Sequence, residues 1–420
     1  MIYFNWKKFL SFASVLATTA LLLPFNQLHQ LDALSSDLTP YEVSGVDSKF
    51  FDLEVEKYDL GSSQPHVIAQ MGGQIFVAAR ESMTVKMMAY RGSVLTLMQA
   101  VDLPKLADEQ NGGGKYILDL ETRSNSDLFV SYLEWYDDTS KCDRVVVIRF
   151  RIRDNRIDPG NPKKVFTSTP CWTMLRQDSL RGGYTASGRL AVHGNRLFVE
   201  GGMVMIELGH NEYPNPGIGG LSGNFRNDVQ KTNLFGSVTE VDLKTLKWTK
   251  LSTGHRNPQG LLYDAQRNLL WSAEHGPSGG CELNIIRKGK NYGWPYVSFG
   301  REYFDQDILP ENNLFKTRYG THSGYELPAF AWNPSIGPSQ LVVVPPGHSF
   351  GPVWTSDLLL SSLRDQSIYR IVADKAGRVL VTERIPIGFR VRDLTIGLSD
   401  VWASTDDGKL LRLSRFVPAP

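Results

Sequence analysis

At 420 residues, with 45 Lys+Arg against 44 Asp+Glu and a formal charge of +1, the chain can bury a large core and carries almost no net charge. That balance gives no support to partners held by bulk charge, such as nucleic acid or an anionic membrane surface. Three cysteines with no C-x-x-C or Cys/His cluster argue against a structural zinc site.

Lys7 and Lys8 precede an uncharged, mostly apolar stretch from Phe9 to Phe25, the pattern of an export signal. Its seventeen residues also approach the length that spans a bilayer, so residues 1–35 read as a cleaved leader or a membrane anchor. Ala33 and Ser35 supply small residues for cleavage, and removing Met1 to Ser35 leaves 43 basic and 43 acidic residues. Export to the periplasm or the cell exterior would let Cys142 and Cys171 pair; spacing alone leaves that open, and Cys281 is the odd thiol.

From residue 48 to 415 the chain reads as one β domain without a low-complexity linker. Six segments share a polar turn followed by alternating or continuous apolar residues: GGQIFVAAR from Gly72, SDLFVSYLEW from Ser126, GNRLFVEGG from Gly194, RNLLWSAEHG from Arg267, SDLLLSSL from Ser356 and SDVWAST from Ser399. Further β-rich stretches lie between them, such as VVVIRFRI from Val145 and KLLRLSRF from Lys409. About six units of several strands suggest a propeller, while spacings of roughly forty to ninety residues leave a two-sheet sandwich open. In a propeller, FFDLEVEKYDL from Phe50 is the candidate for the strand that closes the ring. The stretch from Gly209 to Asn233, which contains His210, reads as a long polar insertion of the kind that is more often functional.

The most informative stretch runs from Gly254 to Pro295, GHRNPQGLLYDAQRNLLWSAEHGPSGGCELNIIRKGKNYGWP, a loop-strand-loop surface without helical periodicity. It resembles the signature of the soluble glucose and aldose sugar dehydrogenases, the glucose/sorbosone dehydrogenase family. The resemblance covers roughly Val55 to Leu413 and implies an all-β, six-bladed propeller of four-stranded antiparallel blades that uses pyrroloquinoline quinone (PQQ) and calcium. The implied reaction oxidises an aldose-like sugar to its lactone and passes electrons to an external acceptor.

PQQ is an ortho-quinone with three carboxylates, which planar guanidinium forks suit. The resemblance places cofactor contacts at Arg256 and Asn257 of GHRNPQG, at Arg364 of LLLSSLRDQSIYRI, and at Arg390 and Arg392 of GFRVRDL. Arg390 and Arg392 stand at i and i+2, on one face of an extended strand, where they would repel one another without an anion. The same resemblance puts calcium on the backbone carbonyls of Gly276 and Pro277 in EHGPSGG, and a second calcium near Glu282 and Tyr292. Cys281 stands where the family usually has Asp.

In the family a His three residues before Gly-Arg-Leu takes the proton from the sugar. Counting back from Gly188, that position is Thr185, whose neutral hydroxyl is a poor proton acceptor. Asp119 of YILDLETR matches a position expected to face the substrate and is the alternative base, and His210 could fold over the site. The reading that rivals a dehydrogenase is a non-catalytic propeller that keeps the pocket as a binding site.

Overall fold

The computed structural model describes residues 37–104, 115–137, 142–169, 172–173, 187–201, 234, 236–294, 296–301 and 318–417. Thr185, Cys171, His210, the 209–233 insertion and the 1–35 segment lie outside the described residues.

Six antiparallel sheets follow one another along the chain. From the innermost strand outwards, the first blade holds His66–Met71, Gln74–Ala79, Thr84–Arg91 and Val94–Asp102, and the second holds Lys115–Arg123, Asp127–Asp137, Cys142–Arg153 and Arg156–Thr167. The third holds Leu190–His193, Arg196–Glu200, Val238–Asp242 and Trp248–Thr253, and the fourth Pro258–Asp264, Leu269–Glu274, Cys281–Ile285 and Phe330–Trp332. Pro338–Val343, Leu358–Ser362, Ser367–Ala373 and Val379–Pro386 make the fifth. The sixth combines Val391–Ile396, Val401–Thr405 and Lys409–Arg415 with Leu53–Asp59, so the strand expected to close the ring pairs with the last strand of the chain, Leu53 opposite Arg415 and Asp59 opposite Lys409. Upstream, Asp37–Leu38 adds an edge strand to the first blade and Glu42–Val46 adds one to the sixth.

Tight turns and a period of two produce these sheets. Met71 pairs with Gln74 and His193 with Arg196, so two-residue turns set the register; their first residues, Gly72 and Gly194, have φ of 59°. Successive side chains then point to opposite faces. Ile117 packs towards the first blade and Leu118 towards the third; Leu270 packs towards the third blade and Trp271 towards the fifth. Six hydrophobic clusters result, one between each pair of neighbouring blades, the last joining Tyr58, Trp402 and Leu410 of the sixth blade to Ile68, Ile75 and Met88 of the first. A sandwich would bury one face of each sheet, whereas here every blade is apolar on both faces. The inner strands run side by side around a central channel.

Candidate functional site

One backbone hydrogen bond recurs at the start of the inner strand in five blades and defines the face that carries the candidate site. The residue that ends or directly follows the second strand donates its N–H to the residue that precedes the first: Arg80 to Pro65 (3.0 Å), Glu200 to Arg189 (3.0 Å), His275 to Asn257 (2.9 Å), Leu363 to Gly337 (2.8 Å) and Asp406 to Arg390 (3.0 Å). Residues scattered along the sequence are therefore brought to the same end of their blades. Asn257 and Arg390 stand on this rung, and Arg256, Arg364, Arg392 and Gly276 within two residues of it.

Arg256 is anchored by its backbone N–H, which donates to Glu274 Oε2 (2.7 Å), and its guanidinium lies over the Trp294 ring at 5.2 Å. Nη1 donates to the carbonyls of His275 (3.1 Å) and Gly276 (3.0 Å). Asn257, also buried, accepts from Gln259 through Oδ1 (2.7 Å). Two blades further round the ring, the two oxygens of Asp406 separate Arg390 from Arg392: Oδ2 accepts from Arg390 Nε (2.9 Å) and Oδ1 from Arg392 Nε (2.7 Å). This carboxylate relieves the repulsion anticipated from the i, i+2 spacing. Arg364 is exposed beside Gly337, and its side chain makes no hydrogen bond or ion pair with a described residue.

His275 reports the field that these groups make. It is held by the Pro338 carbonyl at 2.6 Å, and its pKa is pulled down to about 4, first by burial and further by Arg256, Arg392 and Arg390. Three guanidinium groups from two blades therefore bear on one imidazole. Arg80, from the first blade, adds a fourth cation. It is 2% exposed, lies 4.7 Å from the Tyr116 ring, and burial together with Arg392 lowers its pKa to about 10.

Asp119 belongs to a layer below this rung, on the channel axis. A register shift between Ile117 and Asp119 re-aims the strand there, and the carboxylate meets Arg189 Nη1 at 2.8 Å. Arg189 also reaches Asp393 Oδ1 (2.9 Å), the Gln259 carbonyl (2.8 Å) and the Arg392 carbonyl (3.0 Å), so one side chain ties four blades together. The second oxygens of Asp119 and Asp393 accept from the Leu190 N–H (2.8 Å) and the Ile68 N–H (2.9 Å). Burial raises both carboxyl groups above the ordinary range, and Arg189 opposes that shift. Beyond this plug, towards the C-terminal ends of the inner strands, lies a cavity of about 180 Å³ that all six blades line.

Glu282 and Tyr292 lie in a buried network that adjoins Arg256 through Glu274, and with Arg256, His275 and Gly276 they line one small cavity. Glu282 Oε1 meets His322 Nε2 at 2.7 Å and Oε2 accepts from Asn284 Nδ2 (3.3 Å), while the same amide donates to Glu274 Oε1 (2.6 Å). Glu274 Oε1 also faces His255 Nδ1 at 3.2 Å, and Tyr292 stacks on His255 and donates its hydroxyl to the Ile285 carbonyl. Cys281 is fully buried with Sγ 2.8 Å from Ser335 Oγ.

The donor set tests the implied cofactors. Arg80, Arg256, Arg364, Arg390 and Arg392 around one ring, offset there by Asp406, fit a ligand with several carboxylates. The carbonyls fit calcium less directly, because Gly276 already accepts from the positively charged Arg256. Glu282 has a histidine where a second metal ion was expected, and among the described residues no group of three or more His, Cys, Asp or Glu is placed to hold a metal.

Two residues of the ring, Arg80 and Glu200, escaped the sequence reading. Arg80 ends GGQIFVAAR, at the place that His275 occupies in RNLLWSAEHG, and Glu200 lies near the end of GNRLFVEGG. Aligning the segments by their turns pairs Arg80 with His275, but sets Glu200 two residues short of both, so the segments alone do not point to it.

The family model described as Glucose / Sorbosone dehydrogenase matches residues 62–412. Aldose sugar dehydrogenase YliI of Escherichia coli (strain K12) is 33% identical over 237 residues, 53% of this chain and 59% of the relative, so the chain spans under two thirds of that protein. Quinoprotein glucose dehydrogenase B of Acinetobacter calcoaceticus is 24% identical over 443 aligned positions, covering 87% of each chain. Among solved structures, the apo-form of the soluble aldose sugar dehydrogenase from Escherichia coli superposes with a TM-score of 0.64 at 22% identity, covering 86% of this chain and all of that one, which agrees with the fold.

Proposed function

Because the chain belongs to the glucose/sorbosone dehydrogenase family, we propose that it is an exported PQQ-dependent oxidoreductase that converts an aldose-like sugar to its lactone and passes the electrons to an external acceptor. The observation that carries this reading is that Arg256 with Asn257, and Arg390 with Arg392, stand at the starts of inner strands at one end of the channel. Arg256 and Arg392, fixed and buried, would bind a polyanion more strongly than solvated cations do, while Arg364 and much of Arg390 stay open to solvent.

When bound, PQQ would supply a two-electron, hydride-accepting quinone. The protein's share is binding and orientation. Arg390 and Arg392, already braced by Asp406, would hold carboxylates from the sixth blade, and Arg256 with Asn257 would contact the cofactor from the fourth. Arg364, exposed on the same face, can add a further contact. Calcium at the Gly276 and Pro277 carbonyls is part of this proposal and requires Arg256 to give up its bond to Gly276. His275, neutral across the physiological range, donates to Pro338 and shapes the turn without adding charge.

Isothermal titration of the purified protein with PQQ in millimolar calcium, followed by dye reduction with a panel of aldoses, tests the reading. Binding with turnover supports it, and binding without turnover points to a propeller that keeps the pocket alone. Absence of binding overturns it.

A further inference from the structure

The cavity of about 180 Å³ lies at the far end of the channel from the arginines and takes no part in the proposed reaction. Its lining is buried at Ile68, Leu120, Leu261 and Leu341 and half-buried at Gln70, Thr122, Tyr263 and Val343, so it opens to solvent where the inner strands end. Each inner strand pairs on one side only, with the second strand of its own blade, and its other backbone edge faces the channel. The wall is therefore polar although most of its side chains are aliphatic. Side-chain oxygens already take up four of its N–H groups: Asp393 accepts from Ile68 (2.9 Å) and Leu394 (3.0 Å), and Gln340 Oε1 from Leu261 (3.1 Å) and Leu341 (3.0 Å). Among the described residues, side-chain hydroxyls donate to two of its carbonyls, Thr122 to Gln70 (2.9 Å) and Ser361 to Gln340 (2.9 Å), which tilts the remaining edge towards acceptors.

Glu121 is the one carboxyl among the described lining residues, which include no lysine, arginine or histidine. Leu120 packs between the first and second blades, so the alternation of the strand turns Glu121 the other way. Half-buried, Glu121 has no ion-pair or side-chain hydrogen-bond partner among the described residues. Behind it the plug sets two carboxyls, Asp119 and Asp393, against the single guanidinium of Arg189. Burial raises the pKa of Glu121 well above the ordinary glutamate range, Asp119 and Asp393 add to the rise, and the Thr122 N–H opposes it.

We propose that this end of the channel binds one partly hydrated monovalent cation of sodium or potassium size, held by the Glu121 carboxylate and the carbonyl edges of the inner strands. A single carboxylate among neutral oxygens matches a single charge, whereas oxygen-ligated divalent ions draw on several carboxylates. Among the described residues no group of three or more His, Cys, Asp or Glu is placed to hold a metal, which fits the same choice. The volume leaves room for several water molecules beside the ion. Binding exchanges the proton of Glu121 for the cation, so affinity rises with pH through the titration of that carboxyl. The other titratable or charged groups that face the cavity or close its inner end are Asp119 on the same strand, Arg189 of the third blade, Tyr263 of the fourth and Asp393 of the sixth. The first and fifth blades present the neutral Gln70 and Gln340.

The experiment uses the full chain, wild type and Glu121→Gln, which keeps the shape of the side chain and removes its charge. Thermal melts are recorded in sodium, potassium or N-methylglucamine chloride at equal ionic strength, the last supplying a bulky control cation. The wild type should be stabilised saturably by sodium or potassium over the control, and the apparent Kd should fall as pH rises. Glu121→Gln should bind the same cation at least about 10-fold more weakly, with little dependence on pH. Crystals of the wild type soaked in rubidium chloride should show an anomalous peak in the channel beside the Glu121 carboxylate. Identical melts in the three salts overturn the proposal, as does a Glu121→Gln protein whose Kd stays within about 2-fold of wild type. Absence of a rubidium peak at that position also overturns it. Stabilisation through Glu121 by calcium or magnesium, and by neither alkali cation, overturns the assignment to a monovalent ion.

Discussion

Replacing Arg189 with methionine tests how the channel axis is held. Arg189 is 2% exposed, and the side chain makes hydrogen bonds to Asp119, Asp393 and the carbonyls of Gln259 and Arg392. Asp119 and Asp393 are both fully buried, so Arg189→Met leaves two carboxylates without their cation in a medium that solvates charge poorly. Removing one partner from a buried ion pair costs about 3–5 kcal/mol. For a domain of this length the unfolding entropy is roughly 0.8 kcal/mol per degree, so the melting temperature should fall by about 4–6 °C. The loss should depend on pH in a defined direction. Both native carboxyls titrate above the unfolded value near 3.9, and further above it without Arg189, so the native state takes up protons first as pH falls. The deficit relative to wild type should therefore be larger at pH 8 than at pH 5. Adding Asp119→Asn and Asp393→Asn to Arg189→Met should recover much of the loss. Urea unfolding of the variants at both pH values is the assay. A deficit below about 1 kcal/mol, or one that grows on acidification, would refute the role assigned to this cluster.

Arg392→Ala should weaken PQQ binding by roughly 10- to 150-fold, the range for a lost hydrogen bond to a charged group, and by more than Arg390→Ala because Arg392 is 6% and Arg390 50% side-chain exposed; equal losses in calorimetry would argue against that ranking. His66 and His275 are held neutral with pKa values near 4, burial being the main cause, whereas the unfolded chain titrates near 6.5. Between those values the unfolded state gains protons that the native state refuses, so each imidazole should remove up to about 3 kcal/mol of stability as pH falls from 6.5 to 4. His66→Gln should flatten the measured slope of unfolding free energy against pH in that window, and an unchanged slope would show that His66 is not held neutral. A Cβ on Gly260 would stand 2.1 Å from the Ser339 carbonyl oxygen on the adjacent inner strand, whereas one on Gly45 meets nothing within 4 Å. Gly260→Ala should therefore cost about 1–3 kcal/mol or more in thermal melts and Gly45→Ala nearly nothing, and similar melts for the two would contradict the close approach of these strands.

The blades were legible because their information is local. A turn glycine such as Gly72 or Gly194 and the alternation after it specify a hairpin within ten residues, and the apolar run from Phe50 announced an edge that needed a partner. The cations were legible for a similar reason: Arg256-Asn257 and Arg390-x-Arg392 are short motifs beside strand starts, and the structure brings them to one face. Layers across the channel left no such trace. Asp119 read as a group facing the substrate, yet it lies below the site in an ion pair with Arg189, and Arg189 reaches Asp393 across 204 positions of sequence. Glu282 read as a metal ligand, and its partner is His322, forty positions on.

From the sequence alone came the all-β architecture and the closing strand, since propensity, periodicity and motif act over a few residues. Tertiary structure alone decided which ends of the six repeated segments share a rung. Unit spacings are irregular, so only ring closure aligns Arg80, Glu200, His275, Leu363 and Asp406, and only burial in that ring separates carboxyls neutralised by arginine from Glu200, whose described partners are two hydroxyls.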